Sequence, residues 1–215
     1  ESAGTWSPDS KQFAFIAFSK GKNKLLVVDA ARKKLVNEIV IPGVPSFNYP
    51  AWSPSGEEIV VSGLVDGQND LYSYNLNTNE VKQLTNDPWA NVHASWSADG
   101  KLITYVTDKP SPLDIQTKRT PGYYIATLNV GTGENRIFNF FQGAANLNPV
   151  FSADGRSIFF LSDRDGYRNL YRFDIETEKL FQETDILTGI SGITQLSPAI
   201  SISRESDMLP YSYYF

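Results

Sequence analysis

Two short stretches crowd carboxylates together: Asp163-Arg164-Asp165-Gly166 and Asp66-Gly67-Gln68-Asn69-Asp70. Closely spaced carboxylate oxygens are the ligands calcium takes. An EF-hand loop also requires later oxygen ligands and a bidentate Glu at its twelfth position, and counted from Asp163 that position is Asp174. Both stretches therefore read as hairpin turns, and no metal site is expected from them. A cation gathered by ligands from several distant segments would leave no local motif. Gly189-Ile190-Ser191-Gly192-Ile193 approaches a Gly-x-Ser-x-Gly nucleophile elbow, but its last residue is Ile and no helical pattern follows it. The single histidine, His93, would have to act as base for any Ser–His pair. Ser152-Ala153-Asp154-Gly155 falls short of the Ser-x-Asp-x-Gly-x-x-Trp box, because its Gly directly follows Asp. Paired carboxylates for glycoside cleavage come from distant strands, and nothing singles out a pair. No catalytic residue and no cofactor is expected, and the chain alone should have no hydrolase activity.

The aromatic residues form a series. Trp6, Trp52, Trp96 and Phe151 each open a similar phrase: Trp6-Ser7-Pro8-Asp9-Ser10, Trp52-Ser53-Pro54-Ser55-Gly56, Trp96-Ser97-Ala98-Asp99-Gly100 and Phe151-Ser152-Ala153-Asp154-Gly155. A degenerate fifth copy starts at Ile202. Successive copies lie 46, 44, 55 and 51 residues apart. Four strands and their turns fill about 40–50 residues, the period of a propeller blade. A large ring at one strand position per repeat is expected to pack between neighbouring sheets rather than to bind a ligand.

Each repeat has the same internal plan. In the second, Asn48–Ser53 is a first strand and Pro54-Ser55-Gly56-Glu57 a tight turn. Glu58–Leu64 is a second strand rich in β-branched residues, and Asp66–Asn69 a hairpin turn. Leu71–Leu76 alternates as a half-buried third strand, and Val81–Thr85 is the fourth. The other second strands are expected at Phe13–Phe18, Leu102–Thr107 and Ser157–Ser162, and the third at Lys24–Asp29, Tyr123–Asn129 and Asn169–Asp174. The fourth are expected at Leu35–Ile41, Asn135–Phe141 and Lys179–Thr184. No segment has a helical apolar period, so the chain is all-β. The expected blades span 1–47, 48–91, 92–146 and 147–198. Ala199–Ser203 and Leu209–Phe215 supply half of a fifth over 199–215. A ring cannot close on half a blade, so the remaining blades of the ring are expected outside this chain.

Composition narrows the partners. The 215 residues are 41% hydrophobic and 20% charged, with a net charge of −5. The basic cluster Arg32-Lys33-Lys34 sits in a predicted turn, and no basic stripe with interleaved aromatics marks a nucleic-acid surface. There is no cysteine, which excludes disulfides and thiolate metal sites and is compatible with export. No apolar stretch approaches the roughly 18 residues of a membrane span. The start at Glu1, without Met or leader, reads as a processed or excised segment.

Phe160-Leu161-Ser162-Asp163-Arg164-Asp165-Gly166-Tyr167-Arg168-Asn169-Leu170-Tyr171, following the Ser-Ala-Asp-Gly turn, closely resembles the repeat of TolB-like propellers, also called PD40 or WD40-like repeats. Gln83-Leu84-Thr85-Asn86 is similar to the Leu-Thr that ends such a blade. The resemblance runs along nearly the whole chain. It implies a six-bladed ring, a bacterial periplasmic setting and protein or peptide binding at the mouth of the central channel. Lys109–Pro121 and Asp185–Pro198 enlarge two loops beyond that pattern. Similar repeats also form the propellers of prolyl-oligopeptidase-type and tricorn-like peptidases. An accessory, substrate-gating propeller of a larger peptidase is therefore the alternative to a non-catalytic binding scaffold.

In a propeller the first strand of each blade lines the channel, and the variable loops gather on one face. Here those loops are Pro42–Phe47, Asn86–Val92, Lys109–Pro121, Gln142–Leu147 and Thr188–Ser197. Binding usually sits on variable loops of a rigid scaffold. Tyr49, His93 and Asn148 each stand three residues before a Trp or Phe marker. With Phe47 and Trp89 they are expected to ring the channel mouth and to contact a protein or peptide partner, rimmed by Lys109–Pro121.

Overall fold

The computed structural model describes residues 4–110, 122–192, 197–203, 206 and 208–213. Its strands form four antiparallel four-stranded sheets, with no helix among the described residues. The first sheet is β1 (Thr5–Trp6), β2 (Gln12–Ser19), β3 (Lys22–Asp29) and β4 (Lys34–Ile39). The second is β5 (Ser46–Trp52), β6 (Glu58–Val65), β7 (Gln68–Asn75) and β8 (Val81–Gln83). The third is β9 (Asn91–Trp96), β10 (Leu102–Thr107), β11 (Tyr124–Asn129) and β12 (Asn135–Phe138). The fourth is β13 (Asn146–Phe151), β14 (Ser157–Ser162), β15 (Asn169–Asp174) and β16 (Leu180–Gln182). In every sheet the strands lie in chain order, the up-and-down meander of a propeller blade. The chain divides into two compact units, 1–94 and 95–215.

The repeated turn phrase works as a side-chain brace. In the first sheet the Ser7 hydroxyl accepts from the Gln12 amide (2.9 Å) and donates to Asp9 Oδ1 (2.7 Å), which accepts from the Lys11 amide (3.1 Å). Ser97, Asp99, Lys101 and Leu102 repeat this arrangement, as do Ser152, Asp154, Arg156 and Ser157. The second sheet substitutes Ser55 for the aspartate. The bonds made by Ser7, Ser97 and Ser152 hold the Asp9, Asp99 and Asp154 carboxyls below the usual carboxylate range. A second brace closes each third strand. Asp29, Asn75, Asn129 and Asp174 each accept, through Oδ1, an amide three residues on. Asp174 thus caps a turn.

The markers pack as expected in three of four sheets. Trp52, Trp96 and Phe151 are 3%, 8% and 2% exposed. Trp52 also donates Nε1–H to the Gly56 carbonyl of its own turn (3.0 Å). Trp6 departs from the expectation: it is 53% exposed, with its ring tilted against Phe13 (5.1 Å between centroids, 57° between planes). The core of the first unit joins Ala14, Leu25 and Val27 to Trp52, Ile59, Val61, Tyr72 and Tyr74, so it lies between the first two sheets.

Fourth strands end sooner than the sequence predicts. Val81–Gln83 and Leu180–Gln182 stop before Thr85 and Thr184 because those hydroxyls leave the ladder to serve the third strand. Thr85 Oγ1 accepts from the Leu71 amide and Thr184 Oγ1 from the Leu170 amide, both at 2.9 Å. The fifth repeat is a loose hairpin. Ser201 and Ser203 amides bond Pro210 and Met208 carbonyls, and the described part of this segment pairs through the isolated bridges Ile200↔Tyr211 and Ile190↔Tyr213.

Candidate functional site

Nine described residues other than glycine have a positive φ; Ser10, Lys20, Lys33, Asp66, Asn79 and Glu178 lie in turns and connections, and the other three lie within first strands. Tyr49, His93 and Asn148 have φ of 54°, 57° and 51°, a left-handed conformation that L residues other than glycine adopt rarely. Each stands three residues before its marker. In β5 the ladder slips between Asn48 and Ala51, and in β13 between Leu147 and Val150, so Tyr49-Pro50 and Asn148-Pro149 form bulges. A residue before proline is normally extended, which adds to the cost at Tyr49 and Asn148. Strained backbone at one position of three successive repeats is a reason to look there for function.

In the first unit the strained residues meet. The Tyr49 and His93 rings lie edge to face, 4.3 Å between centroids and 87° between planes. Tyr49 is half-buried, and that burial pushes its hydroxyl pKa up, so it remains a neutral donor. His93 is buried, at 5% exposure. Asn148, in the second unit, is also buried.

Phe47 serves packing instead. It is 1% exposed and belongs to the core cluster of the first unit, so its side chain is no surface contact. It stands five residues before Trp52, the position that Asn91 and Asn146 occupy before Trp96 and Phe151. All three are buried there, each beside the preceding sheet. Phe47 O accepts from Asn23, Asn91 Nδ2 donates to Asp70, and Asn146 Nδ2 donates to the Tyr123 carbonyl.

Trp89 is half-buried on the connection into the third sheet, and the residues that hold it were not evident in the sequence. Asp70 is 1% exposed and accepts from Thr85 Oγ1 (2.7 Å), Gln83 Nε2 (3.1 Å) and Asn91 Nδ2 (3.3 Å). The same Asn91 amide reaches Asp87 Oδ1 and the Trp89 carbonyl, while the Trp89 amide donates to Asp87 Oδ1 (3.2 Å). Asp70 therefore fixes the loop from 83 to 91. Its counterpart Asn169 does the same for 184–186 by accepting from Thr184 Oγ1 and the Ile186 amide. The only signal in the sequence is a polar residue before Leu-Tyr with Thr fifteen residues later.

The turn carboxylates have structural partners. Asp163 Oδ1 accepts from the Ala145 amide (2.7 Å), and Asp165 accepts from the Tyr171 hydroxyl (3.2 Å). Burial first, then Asp165, pushes Tyr171 up to about 12, so that hydroxyl stays a donor. The Gly189–Gly192 segment makes no elbow: the Ser191 amide bonds the Ser212 carbonyl, and Ile190 bridges Tyr213. Of the expected rim Lys109–Pro121, residues 111–121 lie outside the described residues, as do 193–196 of Thr188–Ser197.

The chain is similar to known proteins. The Tol-Pal system protein TolB of Francisella tularensis subsp. mediasiatica is 31% identical over 218 residues, covering 82% of this chain and 49% of the relative. Dipeptidyl-peptidase 5 of Porphyromonas gingivalis is 26% identical over 186 residues, covering 81% of this chain and 26% of that protein. Among solved structures, TolB from Acinetobacter baumannii superposes with a TM-score of 0.68 at 22% identity, over 85% of this chain and 43% of that one. The chain spans about half the length of these relatives or less. A family model described as the TolB beta propeller domain matches residues 3–115, more than half of the chain and two full repeats. With four meandering four-stranded sheets, each opened by the same Ser-centred turn, the chain belongs to the TolB beta propeller domain family.

Proposed function

We propose that this chain is a non-catalytic propeller scaffold of an exported bacterial envelope protein, and that it grips another protein or a peptide through the left-handed positions of its first strands. Tyr49, Trp89 and His93 supply the contacts in the first unit, and Asn148 supplies its counterpart in the second. The observation that carries this reading is the left-handed backbone repeated at Tyr49, His93 and Asn148. Strain of this kind costs on the order of 1–3 kcal/mol per residue and persists where a function repays it. Tyr and Trp offer large contact area at little entropic cost. The relation to a Tol-Pal system protein supports an envelope setting and a protein partner. The test is selection of a displayed random-peptide library on the purified chain. Enrichment should vanish with Trp89→Ala or Tyr49→Gly and survive Phe181→Ala, an exposed residue of β16. Enrichment untouched by the first two changes refutes the assigned face.

A second reading has its own support in the likeness to dipeptidyl-peptidase 5 over 81% of the chain. There the same scaffold would gate substrate for a peptidase domain elsewhere in the parent protein. Dipeptidyl-peptidase activity in the full-length parent, absent from residues 1–215, would decide for it.

A further inference from the structure

In the fourth sheet Asn146 and Ser162 are direct cross-strand partners, so their side chains stand on the same face. Both are 0% exposed. Asn146 Oδ1 and Ser162 Oγ have no hydrogen-bond partner among the described residues. Buried polar atoms are rarely left so, because each would forfeit its hydration without return. Rotation of the Asn146 amide does not solve the problem. Its Nδ2 faces two acceptors, the Tyr123 carbonyl at 2.8 Å and the Ala144 carbonyl at 3.5 Å, and a flip would set Oδ1 against them. Nor can the strand close in, because the Asn146 amide is held by Tyr123 (3.1 Å) and the Ala145 amide by Asp163 (2.7 Å).

The second sheet shows how this position is filled when it is dry. There the equivalent cross-strand pair is Phe47 and Gly63. A Cβ on Gly63 would lie 2.5 Å from Val44 Cγ1 and 2.7 Å from Tyr72 Cδ2, so no space remains. Asn and Ser together occupy less volume than Phe and Gly, and each ends in an unpartnered polar atom. A polar gap of water size with at least two partners is what an internal water requires.

We propose that one water molecule is bound between Asn146 Oδ1 and Ser162 Oγ, donating to the amide oxygen and accepting from the hydroxyl. It joins β13 to β14 on the face turned to Tyr123, two residues from the strained Asn148. The site is independent of any partner at the bulges. A cation is the poorer occupant, since the Ser162 proton needs an acceptor and neither side chain carries charge.

A high-resolution crystal structure of the chain should show a density peak within hydrogen-bond distance of both atoms. Ser162→Ala should lower the folding equilibrium constant about tenfold in urea titrations, because it removes one of the water's partners. The paired change Asn146→Phe with Ser162→Gly, copied from the second sheet, should fold and lose the peak. The proposal is overturned by an empty gap in the wild-type map, by Ser162→Ala being as stable as wild type or more so, or by an occupant at metal–oxygen distances. Should Ser162→Ala fail to fold, the wild-type map alone decides.

Discussion

If the bulge at Tyr49 is strained, glycine should beat alanine there, the reverse of their usual order in a strand. Tyr49→Ala keeps the left-handed backbone at φ 54° and deletes the ring. Half the burial of an aromatic side chain is worth about 1 kcal/mol. The edge-to-face pair with His93 adds about 1 more, for a loss of about 2 kcal/mol. Tyr49→Gly loses the same contacts but recovers the roughly 1–2 kcal/mol that a left-handed conformation costs other residues. Against this stands the extra freedom of glycine in the unfolded chain, about 0.5–1 kcal/mol. The glycine variant should therefore be about 0.5–1 kcal/mol more stable than the alanine variant. The control is Lys82, exposed in β8 and without a positive φ, where glycine should be the less stable by a similar amount. Urea midpoints at a common m-value give the comparison. If Tyr49→Gly falls below Tyr49→Ala, as at Lys82, the bulge stores no strain and the reasoning for the site collapses.

Gly63→Ala should destabilise by about 1–3 kcal/mol through overpacking, since its Cβ would sit 2.5 Å from Val44 Cγ1; an unchanged melting temperature would show that the sheet yields freely. Trp52→Ala should cost about 3–5 kcal/mol, while the half-exposed Trp6→Ala should cost clearly less in the same titration; equal losses would contradict the packing described. The turn aspartates should shape acid unfolding. Their folded pKa values are lowered, so their contribution is present above the unfolded-state value near pH 4 and is lost as pH falls through the folded one. Replacing Asp99 and Asp154 together by Asn should lower stability at neutral pH, change little at pH 2 and flatten the acid limb. An unaltered limb would place the acid sensitivity elsewhere.

What the sequence disclosed depended on how local its cause was. The Ser-x-Asp-Gly turns could be read because their hydrogen bonds close within five residues, as Ser97 to Leu102 illustrates. The second and third strands followed from alternation, and Asn169–Asp174 was placed to the residue. The fourth strands were drawn too long because their ends depend on a side chain, Thr85 or Thr184, reaching the neighbouring strand's amide. Phe47 was expected at the channel mouth as the last residue of the variable loop Pro42–Phe47, yet it pairs with Gly63 in β6 and is buried. Tyr49, His93 and Asn148 could be singled out by their place three residues before a marker, but their left-handed conformation gave no signal. None is glycine, and a bulge is a property of two strands in register, which neither strand spells alone.

Tyr49, His93 and Asn148 separate two kinds of information that are usually mixed at a binding surface. The conformation is the same in each, with φ between 51° and 57°, while the side chain changes from tyrosine to histidine to asparagine. A backbone kept regardless of residue is a mounting, and a residue varied on that mounting is free to answer a ligand. The position two residues earlier behaves otherwise. Phe47, Asn91 and Asn146 also differ, but each is buried and answers to the preceding sheet: Phe47 by packing and through its carbonyl, the two asparagines through hydrogen bonds to Asp70 and Tyr123. Variation there is explained by local fit within the protein. The half-buried Tyr49 is explained by fit only in part, through its edge-to-face contact with His93, and an asparagine such as Asn148 adopts the same backbone with less crowding. That asymmetry holds at Tyr49 and not at the buried His93 and Asn148, and it is the argument for centring recognition on Tyr49 with structure on the residues behind it.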